Sequence, residues 1–257
     1  MPFREPRTFH ANAVVLHHLD YGETDRILTL FTLEYGKIKA IAKGVRRINS
    51  RKAGHLEPFT QVQLFLARGR DLAIITQAET INPFLKIKDN LQLTGYAAYM
   101  VELLERFTFE EGENHALYNL LIESLTRLEE NPNSHTVVHY YEVRLMDLLG
   151  FRPDLNSCTV CGKTVQPADQ FFSVHGGGVI CPHCGKNNPE AWPVSMEALK
   201  YFRHFQRSKY SQVKVLNIPD AAEKELRSLV ERYLTYLLER NLKTPQFIRD
   251  VTPADDL

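Results

Sequence analysis

Two Cys-x-x-Cys pairs, Cys158-x-x-Cys161 and Cys181-x-x-Cys184, hold every cysteine of the chain and are separated by nineteen residues. That spacing fits a four-cysteine zinc site in which each pair delivers two thiolates from a tight turn. Residues 158–184 must then close around one centre. Gly162 and Gly185 follow the pairs directly, where a backbone free to take positive φ can turn N–H groups toward the sulfurs. The competing readings are a disulfide framework and a redox pair. Disulfides need an oxidising compartment, and the N-terminus MPFREPRTFH has no apolar signal region. A redox pair normally follows a strand in a βαβ unit, and no such pattern surrounds either pair. Four thiolates fill a tetrahedron and leave no position for water or substrate, so the expected metal is one structural zinc per chain. Whether His175 or His183 replaces a cysteine stays open. His183 reads as a solvent-facing turn residue, and His175 precedes the flexible Gly176-Gly177-Gly178.

At 257 residues the chain is long enough for two modest domains. No run of about eighteen apolar residues occurs, so no membrane span is expected, and reduced-type cysteines suggest the cytoplasm. The net charge of zero hides an uneven distribution. Residues 1–80 carry twelve Lys and Arg against eight Asp and Glu, whereas residues 81–157 carry six against twelve. A basic front and an acidic middle suggest different partners for different faces.

The first eighty residues read as β. Short apolar runs at 13–18, 26–33, 37–43, 60–67 and 72–78 are separated by turn chemistry such as Asp20-Tyr21-Gly22 and Tyr35-Gly36. Five short strands predict a small barrel over 1–80. In the 37–43 run, Lys37, Lys39 and Lys43 share one parity, and Ile38, Ala40 and Ala42 the other. After Pro83 the period changes to that of a helix, so 81–257 is expected to be an α-helical domain carrying the 158–184 zinc motif. Asp89 with Gln92 suggests a capping box before a stripe of Leu91, Tyr96, Tyr99, Leu103 and Phe107. Further helices are expected at 114–129 and 136–149, the latter ending at Gly150, then from Ser195 to about 207. Pro219-Asp220 with Glu223 opens another, with Leu226, Leu229, Tyr233 and Leu237 on one stripe. The tail 252–257 is expected to fray. The fold class is therefore α+β.

Residues 37–52 contain Lys37, Lys39, Lys43, Arg46, Arg47, Arg51 and Lys52 with no acidic residue. Phosphate backbones reward such density because each neutralised phosphate releases condensed counterions. A charge run is more often only a solvated loop, but here lysines on one strand face lead straight into the arginines. Arg26, Arg68 and Arg70 extend the patch. Tyr21, Tyr35 and Phe65 are candidates for stacking on bases, though each alone reads as packing. The acidic trio Asp20, Glu23 and Asp25 sits on one turn beside Arg26, and local ion pairs explain it without a divalent metal. No Walker, GxSxG, HExxH or GxGxxG motif occurs, so no enzyme is expected.

The stretches 20–32 (DYGETDRILTLFT), Gly36-Lys37, 42–47 (AKGVRR), 56–59 (LEPF), 141–151 (YEVRLMDLLGF), Gly176-Gly177-Gly178 and both cysteine pairs closely resemble the RecO family of recombination mediators of the RecF pathway. The resemblance runs in order along nearly the whole chain. It implies an N-terminal OB-fold and a helical C-terminal domain with the zinc motif. It also implies binding of single- and double-stranded DNA, strand annealing, and cooperation with RecR in loading RecA onto coated strands, with RecF as a further partner and the nucleoid as the place of action. It implies in addition that single-stranded-DNA-binding protein docks an acidic tail on the helical domain. Repulsion from the acidic middle points that tail toward Lys200, Arg203, Phe205, Arg207 and Lys209, with Tyr201 and Phe202 as apolar neighbours. Two other classes use the same features: an RNA-binding OB-fold and zinc protein of the translation machinery, and a protein-binding adaptor.

Overall fold

A computed structural model describes residues 7–109, 112–130, 134–239 and 242–251; the tail 252–257, expected to fray, lies outside the described residues. The chain packs as two compact units, 1–131 and 132–257.

The first unit opens with five strands: β1 (Thr8–Tyr21), β2 (Asp25–Thr32), β3 (Gly36–Ala42), β4 (Gln61–Ala67) and β5 (Ala73–Asn82). They close into a barrel in the order β1-β2-β3-β5-β4, with β4 returning to β1 and β3 running parallel to β5. This is an OB-fold barrel, as expected. Its interior alternates small and large side chains: Ala11, Ala13, Ala40 and Ala42 against Leu28, Leu30, Leu64 and Leu66, all with no exposed surface. Alternation of this kind lets five strands close on a narrow core. β1 is far longer than its apolar run, because a bulge between Val15 and His17 bends it from one pairing to the next.

On the opposite parity Val14, Leu16 and Phe31 are also buried. Polar links on this side reach three helices of the same unit, α1 (Leu85–Lys88), α2 (Leu91–Phe107) and α3 (His115–Glu130). His17 bonds Glu105 at 3.0 Å, Gln61 donates to the Tyr118 hydroxyl, and Lys88 donates to Thr60. The capping residue of α2 is Asn90, whose side chain accepts from the N–H groups of Gln92 and Leu93. Asp89, expected in that role, instead closes the one-turn helix α1, which the sequence pattern does not suggest. Leu91 consequently stands exposed at the first turn rather than on the buried stripe.

The second unit is built on α4 (Ser134–Leu149), which is buried on nearly every side. Gly150 follows it at φ 80° while Phe151 donates back to the Met146 carbonyl at 2.8 Å, a Schellman ending. Then come β6 (Gln170–Ser173), β7 (Gly178–Ile180), α5 (Pro182–Gly185), β8 (Trp192–Val194), α6 (Met196–Arg207), α7 (Tyr210–Val213), α8 (Asp220–Leu238) and α9 (Thr244–Val251). The three strands form a small antiparallel sheet in the order β7-β6-β8. Ser195 caps α6 as expected, accepting from the Ala198 N–H. Glu223 does not cap α8. Its carboxylate accepts from Arg227 and meets Nε2 of the buried His139, whose Nδ1 lies 2.9 Å from Glu142. Among the described residues no helix is long and apolar enough to cross a membrane.

Candidate nucleic-acid interface and metal centre

The barrel carries an open groove of about 680 Å³ whose walls come from the start of β1, the β2–β3 turn, β3 and the β4–β5 loop. In OB-folds the β2–β3 face and the β1–β2 and β4–β5 loops are where oligonucleotides bind. Lys39, Arg68 and Arg70 line it together with Phe9 and Tyr35, whose rings meet edge-on at 5.0 Å. The Arg68 guanidinium lies 5.6 Å from the centre of the Phe9 ring. Glu34, Asp71 and Glu113 add three carboxylates to the lining, and Glu34 is already bonded to Asn12. Stacking surfaces beside cations suit a single strand, whose bases offer π-faces and whose backbone offers phosphates. Phe9 lies ahead of the apolar run that begins at residue 13, so the strand pattern does not single it out.

The other cations named from the sequence divide into two groups. Lys43, Arg47 and Arg51 are exposed and form no ion pair among the described residues, and Arg70 shares that condition in the groove. Lys37, Lys52 and Arg26, in contrast, are held internally. The Lys37 ammonium donates to the carbonyls of Glu105, at 2.7 Å, and Thr108, tying β3 to the end of α2. The Lys52 ammonium donates to the Ile75 carbonyl at 2.9 Å, and partial burial lowers its pKa. Arg26 bridges Asp20 and Glu57. Arg46 also pairs with Asp20, at 3.2 Å. These four are expected from the sequence to face phosphate, but a period-2 count cannot see that neighbouring carbonyls and carboxylates already claim them. The same count puts only lysines on the outer face of β3, yet Ile41 shares their parity and pairs with Ile27 and Ile74.

The acidic turn is explained by this wiring. Asp20 is neutralised by Arg26 and Arg46. Asp25 accepts from the Gly44 N–H at 2.7 Å, and that bond, then the Thr24 hydroxyl, holds its carboxyl below the usual range. Of the stacking candidates, Tyr21 is exposed, Tyr35 lies in the groove, and Phe65 pairs with His10 outside the groove at 4.6 Å.

In the second unit Cys158, Cys161, Cys181 and Cys184 converge so that their sulfurs all lie within 4.8 Å of one another. The Cys161 and Cys181 sulfurs are 3.9 Å apart. A tetrahedral zinc with Zn–S bonds of about 2.3 Å separates its sulfurs by about 3.8 Å, so the cluster fits one ion. Among the described residues no other His, Cys, Asp or Glu group converges in this way. His175 is not part of it: its Nδ1 lies 2.7 Å from the Tyr236 hydroxyl. His183 is exposed.

Burial disfavours the Cys158 thiolate, but the backbone N–H groups of Cys181, Cys161 and Val160 outweigh it and bring the thiol down to about 6. Cys184 is pushed up to about 12, first by its hydrogen bond to Cys181 and then by burial. Four thiols this close cannot all ionise without a cation among them, which is the chemistry of a metal centre.

The two glycines act differently from each other. Gly162 takes φ 72° and donates to the Cys158 carbonyl, not to a sulfur. Gly185 lies in α5 and donates to the Cys181 carbonyl. It is glycine for lack of room, since a Cβ there would stand 2.4 Å from the Phe171 ring.

The partner pocket expected on α6 is not formed by the residues named for it. Phe202 and Phe205 are fully buried in the core, and Arg203 donates to the Leu155 carbonyl at 2.8 Å. Only Lys200, Arg207 and Lys209 of that group are exposed, as the outer face of an amphipathic helix and the turn after it.

The class the structure defines is an α+β protein: a five-stranded OB-fold barrel with cationic and aromatic side chains in its groove, followed by a helical unit in which four cysteines converge. Sequence comparison narrows it, and the chain belongs to the RecO family. Residues 7–84 match the family model "Recombination protein O N terminal", and residues 88–246 match "Recombination protein O C terminal". The DNA repair protein RecO of Roseiflexus sp. (strain RS-1) is 35% identical over 95% of this chain and 86% of its own length. That of Dehalococcoides mccartyi (strain ATCC BAA-2100) is 34% identical over 98% of this chain and 99% of its own. The RecO protein of Bacillus pumilus (strain SAFR-032) is 32% identical over 94% and 93%.

Proposed function

We propose that the chain is a DNA repair and recombination mediator that binds single- and double-stranded DNA, anneals complementary strands and, with RecR, helps load RecA onto coated single strands. The observation that carries this reading is the barrel groove, where Lys39, Arg68 and Arg70 stand beside the Phe9 and Tyr35 rings. Family membership supports the biological role, since relatives across the full length are named DNA repair proteins. The protein acts by binding rather than by catalysis. Two strands brought to one basic surface lose much of the electrostatic repulsion that opposes pairing. Zinc, held by Cys158, Cys161, Cys181 and Cys184, staples the second unit and takes no part in DNA chemistry. Single-stranded-DNA-binding protein, RecR and RecF are the expected partners, and the nucleoid in the cytoplasm is the expected location.

The test is annealing of complementary oligonucleotides coated with single-stranded-DNA-binding protein, with and without RecR. Acceleration by the chain is expected. Equal annealing with and without it, by protein that retains its fold, would remove the mediator reading. Tighter binding to RNA than to DNA of the same sequence would favour a translation-machinery role instead.

A further inference from the structure

The loop between β3 and β4 presents Ile48 with 103% relative exposure, so none of the described residues covers this side chain. Among the described residues it is the most exposed large apolar side chain, and its chain neighbours are Arg46, Arg47, Asn49, Ser50 and Arg51. An uncovered isoleucine costs solubility and contributes nothing to the barrel.

The loop is nevertheless firmly built. Ser50 donates to the Arg47 carbonyl at 2.9 Å, which closes a β-turn with Ile48 and Asn49 at its tip. Before the turn, Val45 is buried and the Arg46 N–H bonds the Thr24 carbonyl. After it, Lys52 is fixed to the Ile75 carbonyl and Leu56 is fully buried. The tip is therefore held out on a braced support rather than trailing in solvent.

We propose that Ile48 is a duplex wedge, an aliphatic side chain that enters between base pairs of double-stranded DNA from the minor groove while Arg47 and Arg51 hold the flanking phosphates. The inference rests on the DNA-binding reading above. Minor-groove proteins commonly insert Ile, Leu, Phe or Met between base steps and kink the helix by about 20–90°. A β-turn spans less than about 7 Å between its ends. The minor groove is about 6 Å wide. The backbone of the turn is therefore too broad to enter the groove, and only the side chain at its tip reaches base edges. Charge favours a polyanion over an apolar protein partner, because the exposed Arg47 and Arg51 flank the tip and residues 37–52 hold no acid. Protein hot spots instead gather several large apolar anchors in one patch. A wedge that opens base steps also suits a protein that works where single and double strands meet.

Binding of the full chain to a short duplex carrying dyes at both ends and 2-aminopurine within it tests this. Wild type is expected to bring the ends together and to raise 2-aminopurine fluorescence as bases unstack. Ile48→Ala is expected to abolish both signals, to weaken duplex binding about tenfold because one aliphatic side chain is no longer buried, and to leave the salt slope and single-strand affinity unchanged. Ile48→Leu should restore the signals. Since Ile48 supports no core, the variants fold as wild type does. Unchanged bending and fluorescence in Ile48→Ala would overturn the wedge while leaving DNA binding intact. Abolished RecR association in Ile48→Ala, with DNA signals retained, would overturn it in favour of a protein contact. Failure of wild type to bind either DNA would remove the underlying reading itself.

Discussion

The His139 network offers a quantitative test of how the second unit is held. His139 is 2% exposed, and its two nitrogens face Glu142 at 2.9 Å and Glu223 at 3.2 Å, so it joins α4 to α8. Burial alone would lower its pKa, but the two carboxylates outweigh that and raise it from 6.5 to about 9. A folded-state pKa above the unfolded one means that folding favours the proton. The contribution is complete below about pH 6.5 and disappears as pH rises through about 9; linkage sets it at roughly 3 kcal/mol. Glu223 is displaced the other way, to about 2: burial works against its charge, but His139 and Arg227 overcome it. Its share is present above about pH 4.5 and is lost as pH falls toward 2. His139→Gln removes the titrating group, takes the cation from the buried Glu142 and leaves Glu223 with Arg227, at a cost of about 3 kcal/mol near pH 6. Urea unfolding followed by Trp192, the only tryptophan of the chain and part of the second unit, reads the difference. The gap between wild type and variant is expected to narrow by roughly 3 kcal/mol between pH 6.5 and 9.5. A gap that stays constant over that range would show His139 neutral in the fold and the reasoning wrong.

Three further outcomes follow from the same geometry. Arg47→Glu with Arg51→Glu should flatten the salt dependence of duplex binding by roughly 0.9 in log–log slope for each phosphate left without its cation; Lys52→Met, whose ammonium already serves the Ile75 carbonyl, should leave the slope alone. Elemental analysis should find one zinc per chain, and chelation should raise hydrogen exchange over 158–184 while the barrel amides keep their protection; no zinc in protein purified under reducing conditions would refute the centre. Gly185→Ala should weaken metal retention, because its Cβ would stand 2.4 Å from the Phe171 ring, and unaltered zinc affinity would show that the ring yields freely.

The cysteine centre is legible in the sequence because metal ligation is written in spacing: two short pairs, one centre. The barrel is legible because inward parity is written in alternation, as in Val62, Leu64 and Leu66 against Gln61, Gln63 and Phe65. Neither signal reports where a long side chain ends. Lys37, Arg26 and Lys52 look like surface cations in sequence, yet each terminates on a carbonyl or carboxylate supplied by a distant segment. Glu223 likewise reads as a cap from its place after Pro219-Asp220, but a buried histidine from another helix claims it. The sheet β7-β6-β8 is hidden because two of its strands have only three residues, too few for any period to emerge. Phe205 and Phe202 are visible as aromatics on α6, but the direction they face is a tertiary fact.

The central claim is that the barrel groove receives single-stranded DNA. It is tested most directly by titrating a fluorescent oligonucleotide over a range of salt with wild type and with Arg68→Glu, Arg70→Glu protein. Both arginines are exposed at the groove rim, so the fold should persist. The double variant should bind more weakly at every salt concentration, with a log–log slope flatter by roughly 0.7 for each phosphate that no longer meets a cation. Equal affinity and equal slope in the folded variant would contradict the account.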